Sequence, residues 1–257
     1  MAAEVKIGTS GYSFDDWKGP FYPVDIKKGM MFDHYAKFFD TVEINATYYR
    51  IPHPKVMANI ERKSPPGYEF IVKTPNTMTH KRARLEESVK PFLEAVAPMA
   101  EAGKLKGLLA QYPYSFKFSS RNLDYIRRCH ELLRPHRLFV EFRHSGWVNR
   151  TMYDVFREAG IGYVAVDEPD LPGLLKPDFF ATTETAYARL HGRNAEQWWE
   201  GGPLRYDYDY SPGELQEWKE KIDKMKSKTK KIFIFFNNCH LGQAVKNARE
   251  MMHVLGL

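Results

Sequence analysis

Short apolar runs alternate along this chain with stretches whose apolar residues recur at helical spacing. Eight runs have the length and the β-branched or aromatic content of buried strands. They are Val5–Thr9, Thr41–Asn45, Glu69–Lys73, Lys106–Gln111, Leu138–Arg143, Tyr163–Asp167, Ala186–Leu190 and Lys231–Phe236. Helical stripes fill most intervals: residues 30–39, a segment opening at Pro54, then 89–102, 121–133, 149–159, 213–227 and 241–253. Pro54 suits a first helical turn, where a missing amide donor costs nothing. Asn149 can cap one helix and Gly160 can end it. This order predicts an α/β fold, a (β/α)8 TIM-type barrel spanning residues 1–257 as a single domain. Pro169, Pro172, Gly173 and Pro177 leave little room for a helix between strands six and seven, so that crossover is expected to be irregular or shortened. An open doubly wound sheet is the alternative. No strand leads into G-x-G-x-x-G or a G-x-x-x-x-G-K-[ST] loop, so dinucleotide and P-loop chemistry gain no support.

The polar residues gather where these strands end. Side chains alternate faces along a strand. Glu43 and Asn45 therefore share a face, as do Glu141 and Arg143, and Arg189 with His191 if the strand continues. Lys73, Gln111 and Asp167 close strands three, four and six. In a barrel such residues converge on the carboxyl-terminal mouth, where active sites of this fold lie. A salt-bridge network that merely closes the barrel is the competing explanation.

The following loops add chemistry. Tyr48 and Tyr49 could stack on a ring and Arg50 could pair with an anion. Thr79, His80, Lys81, Arg82 and Arg84 follow strand three and supply a proton-exchanging group among cations. Trp147, just after His144, is a candidate apolar wall. Arg193 follows His191, and Asn237, Asn238 and His240 follow strand eight. Either asparagine could reach the mouth, and Asn238 is a ligand-binding candidate.

Composition narrows the setting. A hydrophobic fraction of 43% and a charged fraction of 27% suit a folded core rather than disorder. Net charge is +6, which favours anionic partners without establishing nucleic-acid binding. The two cysteines, Cys129 and Cys239, form no disulfide framework or metal spacing. Free thiols and the absence of a signal-like or membrane-length apolar run make a cytoplasmic location the expectation, with no membrane partner.

The segments GTSGYSFDDWKGPFYP, FDTVEINATYYRIP, KTPNTMTHKR, VEFRHSGW, VAVDEP, YARLHGRN and IFIFFNNCHLGQAVKNA together resemble the YecE-like family 72 of domains of unknown function. The resemblance runs from residue 7 to at least residue 248. It implies a TIM barrel related in shape to xylose isomerase and endonuclease-type barrels. Glu43, Asn45, Arg50, Lys73, His80, Glu141, Arg143, Asp167, Arg189, His191 and Asn238 fall in its characteristic strand-end segments.

Three functions fit these residues. The first is binding of a phosphorylated or carbohydrate-like anion, with Lys73, Arg189 and Arg193 holding it. Glu43 or Glu141 would then act as acid or base in hydrolysis or isomerisation, and His80 or His191 would relay a proton. The second is metal-dependent phosphodiester cleavage using Glu43, Glu141, Asp167 and His191, although no H-E-x-x-H motif or compact histidine cluster is present. The third is non-catalytic nucleotide or nucleic-acid binding through loop aromatics and cations. The sequence assigns no cofactor, no resident metal and no oligomeric state.

Overall fold

In the computed structural model, which describes residues 3–257, eight parallel strands form one sheet. They are β1 (Glu4–Thr9), β2 (Thr41–Ile44), β3 (Glu69–Lys73), β4 (Leu105–Gln111), β5 (Leu138–Glu141), β6 (Gly162–Asp167), β7 (Thr185–Leu190) and β8 (Lys231–Phe236). Their order is β1-β8-β7-β6-β5-β4-β3-β2, so the two ends of the sheet belong to consecutive strands. A parallel bridge between Ser10 and Glu43 joins those ends, and the Gly11 amide donates to the Glu43 carbonyl at 2.8 Å. The sheet is therefore a nearly closed α/β barrel of the TIM type.

Helices α1 (Met31–Tyr35), α2 (Pro54–Lys63), α3 (Asn76–Thr79), α4 (Leu85–Glu101), α5 (Ser120–Leu133), α6 (Arg150–Ala159) and α7 (Pro212–Lys226) lie in the crossovers, and α8 (Gln243–Leu255) follows β8. The Asn149 side chain accepts from the Met152 amide at 2.9 Å and Gly160 ends α6 at φ 73°, as their positions in the sequence suggest. No helix forms between β6 and β7. Several boundaries differ from the periodicity. The 30–39 stripe shortens to α1, because the chain then turns into β2 while still burying Phe39. The 241–253 helix starts at Gln243, because Leu241 and Gly242 take left-handed backbone at φ 47° and 81°. No helix among the described residues is long and apolar enough to cross a membrane.

Alternation along the strands stacks the interior in layers. Ile71, Leu109, Phe139, Val164, Tyr187, Phe233 and Phe235 form a dry central layer, sealed by burial of apolar surface. Beneath it, Lys231 pairs with Glu4 at 3.0 Å and with Glu69. Above it lie the polar strand ends. The seam between β1 and β2 has no space for a larger residue: a Cβ on Gly8 would sit 2.6 Å from the Thr41 carbonyl oxygen. Gly8→Ala should therefore destabilise the protein by about 1–3 kcal/mol, since backbone must shift to admit the methyl. Urea unfolding measures this, and an unchanged midpoint would contradict the seam as described.

Candidate functional site

The site is built upward from Tyr187 in β7. Two residues on, along the same inward face, stands Arg189, which is fully buried. Its Nε and Nη2 donate to Oε2 and Oε1 of Glu43 at 2.8 and 2.6 Å. Its Nη1 donates to Oε2 of Glu141 at 2.5 Å, and Nη2 reaches Ser10 Oγ at 3.2 Å. The Tyr187 hydroxyl donates to Glu43 Oε2. One guanidinium thus binds residues from β2 and β5 and the residue that ends β1. Burying charge is tolerable here because the charges are matched and hydrogen-bonded. Burial alone would raise the Glu141 carboxyl, but Arg189, Arg143 and His191 hold it well below the usual carboxylate range.

A second tier lies one step further along the strands. Arg143 Nη2 sits 2.8 Å from Glu141 Oε1, and its Nη1 donates to Glu168 Oε2 at 3.0 Å. Glu168 Oε1 also accepts from the Leu175 amide at 3.0 Å. Burial pushes the Glu168 carboxyl up to about 7, against the pull of Arg143. His191 Nδ1 lies 2.9 Å from Asn237 Nδ2, and its Nε2 lies 3.2 Å from Glu141 Oε1. Burial and the neighbouring Arg143 lower His191 to about 3, so the ring is neutral at physiological pH. Asn237 can donate to Nδ1 of the neutral ring, while Nε2 stands 3.1 Å from Arg143 Nη2 as well as beside Glu141.

Lys73 is treated differently by its surroundings. Its Nζ donates to Gln111 Oε1 at 3.0 Å and stands 4.5 Å from the centre of the Tyr48 ring. No carboxylate of the described residues forms an ion pair with it. Burial and the nearby Arg189 lower its pKa to about 7. Beside it, His80 Nδ1 lies 3.0 Å from Thr79 Oγ1. Burial and Lys73 lower His80 to about 4.

These groups border a mouth with two lobes. The larger, about 550 Å³, is lined by Ser10, Asn45, Arg189, Asn237 and His240 among others. The smaller, about 270 Å³, adds His80, Tyr114 and Trp198. Tyr48, Lys73, Gln111, Arg143, Arg205 and Tyr206 border both. The mouth can therefore offer cations, amide groups and aromatic faces to a small polar ligand.

The strand-end candidates Glu43, Asn45, Tyr48, Lys73, His80, Gln111, Glu141, Arg143, Arg189 and His191 come together in this way, as cavity wall or as its floor. Others lie elsewhere. Asp167 points out of the barrel and accepts from Arg193 at 2.8 and 2.9 Å and from the indole of Trp218 in α7. Arg193 is also held by Glu214 and Glu217, each at 3.2 Å. Both are thus helix-to-barrel fastenings. The inward phase of β6 belongs to Val164 and Val166, which puts Asp167 on the opposite face. Trp147 is fully buried, stacked on Phe142 with centroids 4.1 Å apart, and belongs to the core rather than the cavity wall. Arg50 is exposed and borders neither lobe. Asn238 donates to Asn247 Oδ1 and the Tyr208 carbonyl, both at 2.8 Å, outside the barrel. Asn237 takes the inward place because it shares the phase of Phe235.

Besides Ser10, Tyr114 and Tyr187, the site holds Glu168, Trp198, Arg205 and Tyr206, which the sequence pattern does not single out. Glu168 could have been found two residues beyond Val166, on the same face. Trp198, Arg205 and Tyr206 come from the long connection between β7 and α7, where no periodicity sets direction. Among the described residues, no three His, Cys, Asp or Glu side chains are grouped to hold a metal ion. Glu43, Glu141 and Glu168 are each engaged by a guanidinium that a metal ion would have to displace.

The family model described as "Protein of unknown function DUF72" matches residues 6–257. The chain belongs to the DUF72 family. A DUF72 protein from Thermotoga maritima has a crystal structure that superposes with a TM-score of 0.92 at 40% identity, covering 99% of this chain and 100% of that one. A second, from Enterococcus faecalis, gives 0.89 at 27% identity over 98% and 96% of the two chains. UPF0759 protein YunF of Bacillus subtilis is 28% identical over an alignment of 271 positions, covering 98% of this chain and 95% of YunF. A shorter stretch, 26% of each chain, is 31% identical to UPF0759 protein YecE of Escherichia coli K12. The DUF72 match starts within β1 and takes in the other seven strands entire, so the paired floor and the open mouth lie within the matched region.

Removing the cation from the floor should unbalance it. Arg189→Met should cost about 3–5 kcal/mol at neutral pH, because Glu43 and Glu141 stay buried without their counter-ion. In the wild type, the depressed Glu141 carboxyl contributes stability in full above the unfolded value of about 4.3, and this is lost as pH falls below it. The variant should therefore lose less stability than the wild type on acidification. Denaturant midpoints measured from pH 7 downwards test both statements, and parallel pH curves would contradict the pairing.

Proposed function

We propose that this DUF72 protein binds a small anionic molecule, phosphorylated or carbohydrate-like, at the carboxyl-terminal mouth of its barrel. The observation that carries this reading is Lys73: a partly buried amine on the wall of both lobes, with no carboxylate to neutralise it. Arg205 supports it, since its Nε donates only to the Gly202 carbonyl and its guanidinium lies 6.0 Å from the Trp198 ring centre. An anion entering here finds two cations whose charge is not already spent. Tyr48 and Tyr206 supply ring faces against which the remainder of a ligand can pack.

The proton chemistry belongs to Lys73 as well. Glu43 and Glu141 are fixed as acceptors of Arg189, which leaves neither as a free acid or base. His191 is neutral and tied at both nitrogens. An amine near pKa 7 at the cavity wall can hold an anion when protonated and take a proton when neutral, which suits isomerisation better than carboxylate-pair hydrolysis.

Sulfate, whose charge is constant across the relevant range, is a suitable probe. Calorimetric titration should show binding at pH 6 that weakens above pH 7 as Lys73 loses its proton. Lys73→Met should weaken it about 10–100-fold, the worth of one charged hydrogen-bond donor. The stability change has the opposite sign. A base whose folded pKa is lowered penalises the fold below that value, and the penalty fades as pH rises toward the unfolded value of about 10.4. Lys73→Met should therefore be more stable than the wild type at pH 6, by on the order of 1 kcal/mol, with the gap closing by pH 10. Undiminished sulfate binding by a more stable variant would sink the proposal.

A further inference from the structure

We infer that Lys73 is a nucleophile that forms an imine with a small aldehyde or ketone bearing an acidic group. This rests on the anion-binding reading of the mouth and names the ligand class more narrowly. The grounds are geometric. A lysine kept as an ammonium is ordinarily matched by a carboxylate, whereas here Nζ meets an amide oxygen, Gln111 Oε1, at 3.0 Å and the face of Tyr48. The guanidiniums of Arg143 and Arg189 border the same cavity and oppose a further positive charge. Desolvation beside like charge is how proteins hold a lysine amine in its reactive neutral form. Gln111 accepts one N–H and so limits the directions in which the nitrogen lone pair can face. Lys73 and Arg205 line both lobes, so a carbonyl compound entering either meets the amine's side chain with Arg205 beside it to take the acidic group.

The chemistry balances without an added oxidant or reductant. The neutral amine attacks the carbonyl carbon, forming a C–N bond while the carbonyl π electrons pass to oxygen, which takes a proton. Nitrogen releases one proton, giving a neutral carbinolamine. The hydroxyl then takes a proton and leaves as water as the nitrogen lone pair forms C=N. The resulting iminium keeps the positive charge that Lys73 carried when protonated, so pairing with the acidic group survives. It also acidifies the adjacent C–H, the step an isomerisation needs.

The test is reductive trapping on the full chain at pH 7. Pyruvate, glyceraldehyde 3-phosphate and uncharged glycolaldehyde are each supplied with sodium cyanoborohydride, whose hydride reduces the imine to a stable secondary amine. Peptide mass mapping locates the adduct. At this pH an amine near pKa 7 has about a thousandfold more free base than an ordinary lysine. One adduct should form at Lys73 ahead of all other lysines, faster with the two anionic probes, and Arg205→Met should slow those two alone. Absence of a Lys73 adduct with all three probes, or labelling spread over lysines as in Lys73→Arg, overturns the inference. Sulfate binding without trapping leaves the anion pocket standing and removes the imine. Trapping at equal rates for all three probes, without sulfate binding, upholds the amine's reactivity and removes the anion reading.

Discussion

A guanidinium with no access to water must be matched almost completely, and Arg189 is matched by two carboxylates, a serine hydroxyl and a neighbouring phenol that shares Glu43. Its partners come from strands far apart in sequence that only a closed barrel brings together. The seam between β1 and β2 is thin, and Glu43 contributes to it twice: its backbone bridges to Ser10 and its side chain binds Arg189. The central layer of Phe139, Tyr187 and Phe235 excludes water below, so the pair cannot exchange its partners for solvent. Closure of the barrel and neutrality of its floor therefore depend on the same side chains.

The electrostatics of the mouth follow from that floor. Arg189 and Arg143 absorb Glu43, Glu141 and Glu168. His191 stays neutral between Glu141 and Asn237. Lys73 projects from β3 into the cavity that Arg143 and Arg189 also border, and its direct contacts are an amide oxygen and a ring. Burial first, and then the neighbouring Arg189, lowers its pKa to about 7, against the opposite pull of Glu141 and Glu43. The connection between β7 and α7 lays Trp198, Arg205 and Tyr206 over the pocket.

Strand alternation alone was enough to pair Glu43 with Asn45, Glu141 with Arg143 and Arg189 with His191, because each pair carries its own phase. Alternation fails where a single polar residue ends an apolar run. Asp167 and Asn238 read as mouth residues until neighbouring strands fix which face is inward, and then each falls outside. Trp147 misleads for a different reason: an indole after a strand end suits a wall, yet Phe116 and Phe142 offer it a stacked, water-free slot. The 191–211 connection could not be oriented from sequence, since its cavity residues are positioned by tertiary packing rather than by any period. The barrel itself was legible because strand–helix alternation repeats around the whole chain, and a repeated signal survives local exceptions such as the helix-free crossover after β6.

The most direct measurement is the titration of Lys73 itself, followed by NMR on protein carrying isotope-labelled lysine, with Lys73→Arg used to assign the signal. An unpaired amine above a neutralised floor should titrate near pH 7, and its midpoint should move upward when sulfate is added. A midpoint near the ordinary lysine value of about 10.4, unmoved by sulfate, would mean that the floor does not isolate Lys73 and that the mouth is not the site described.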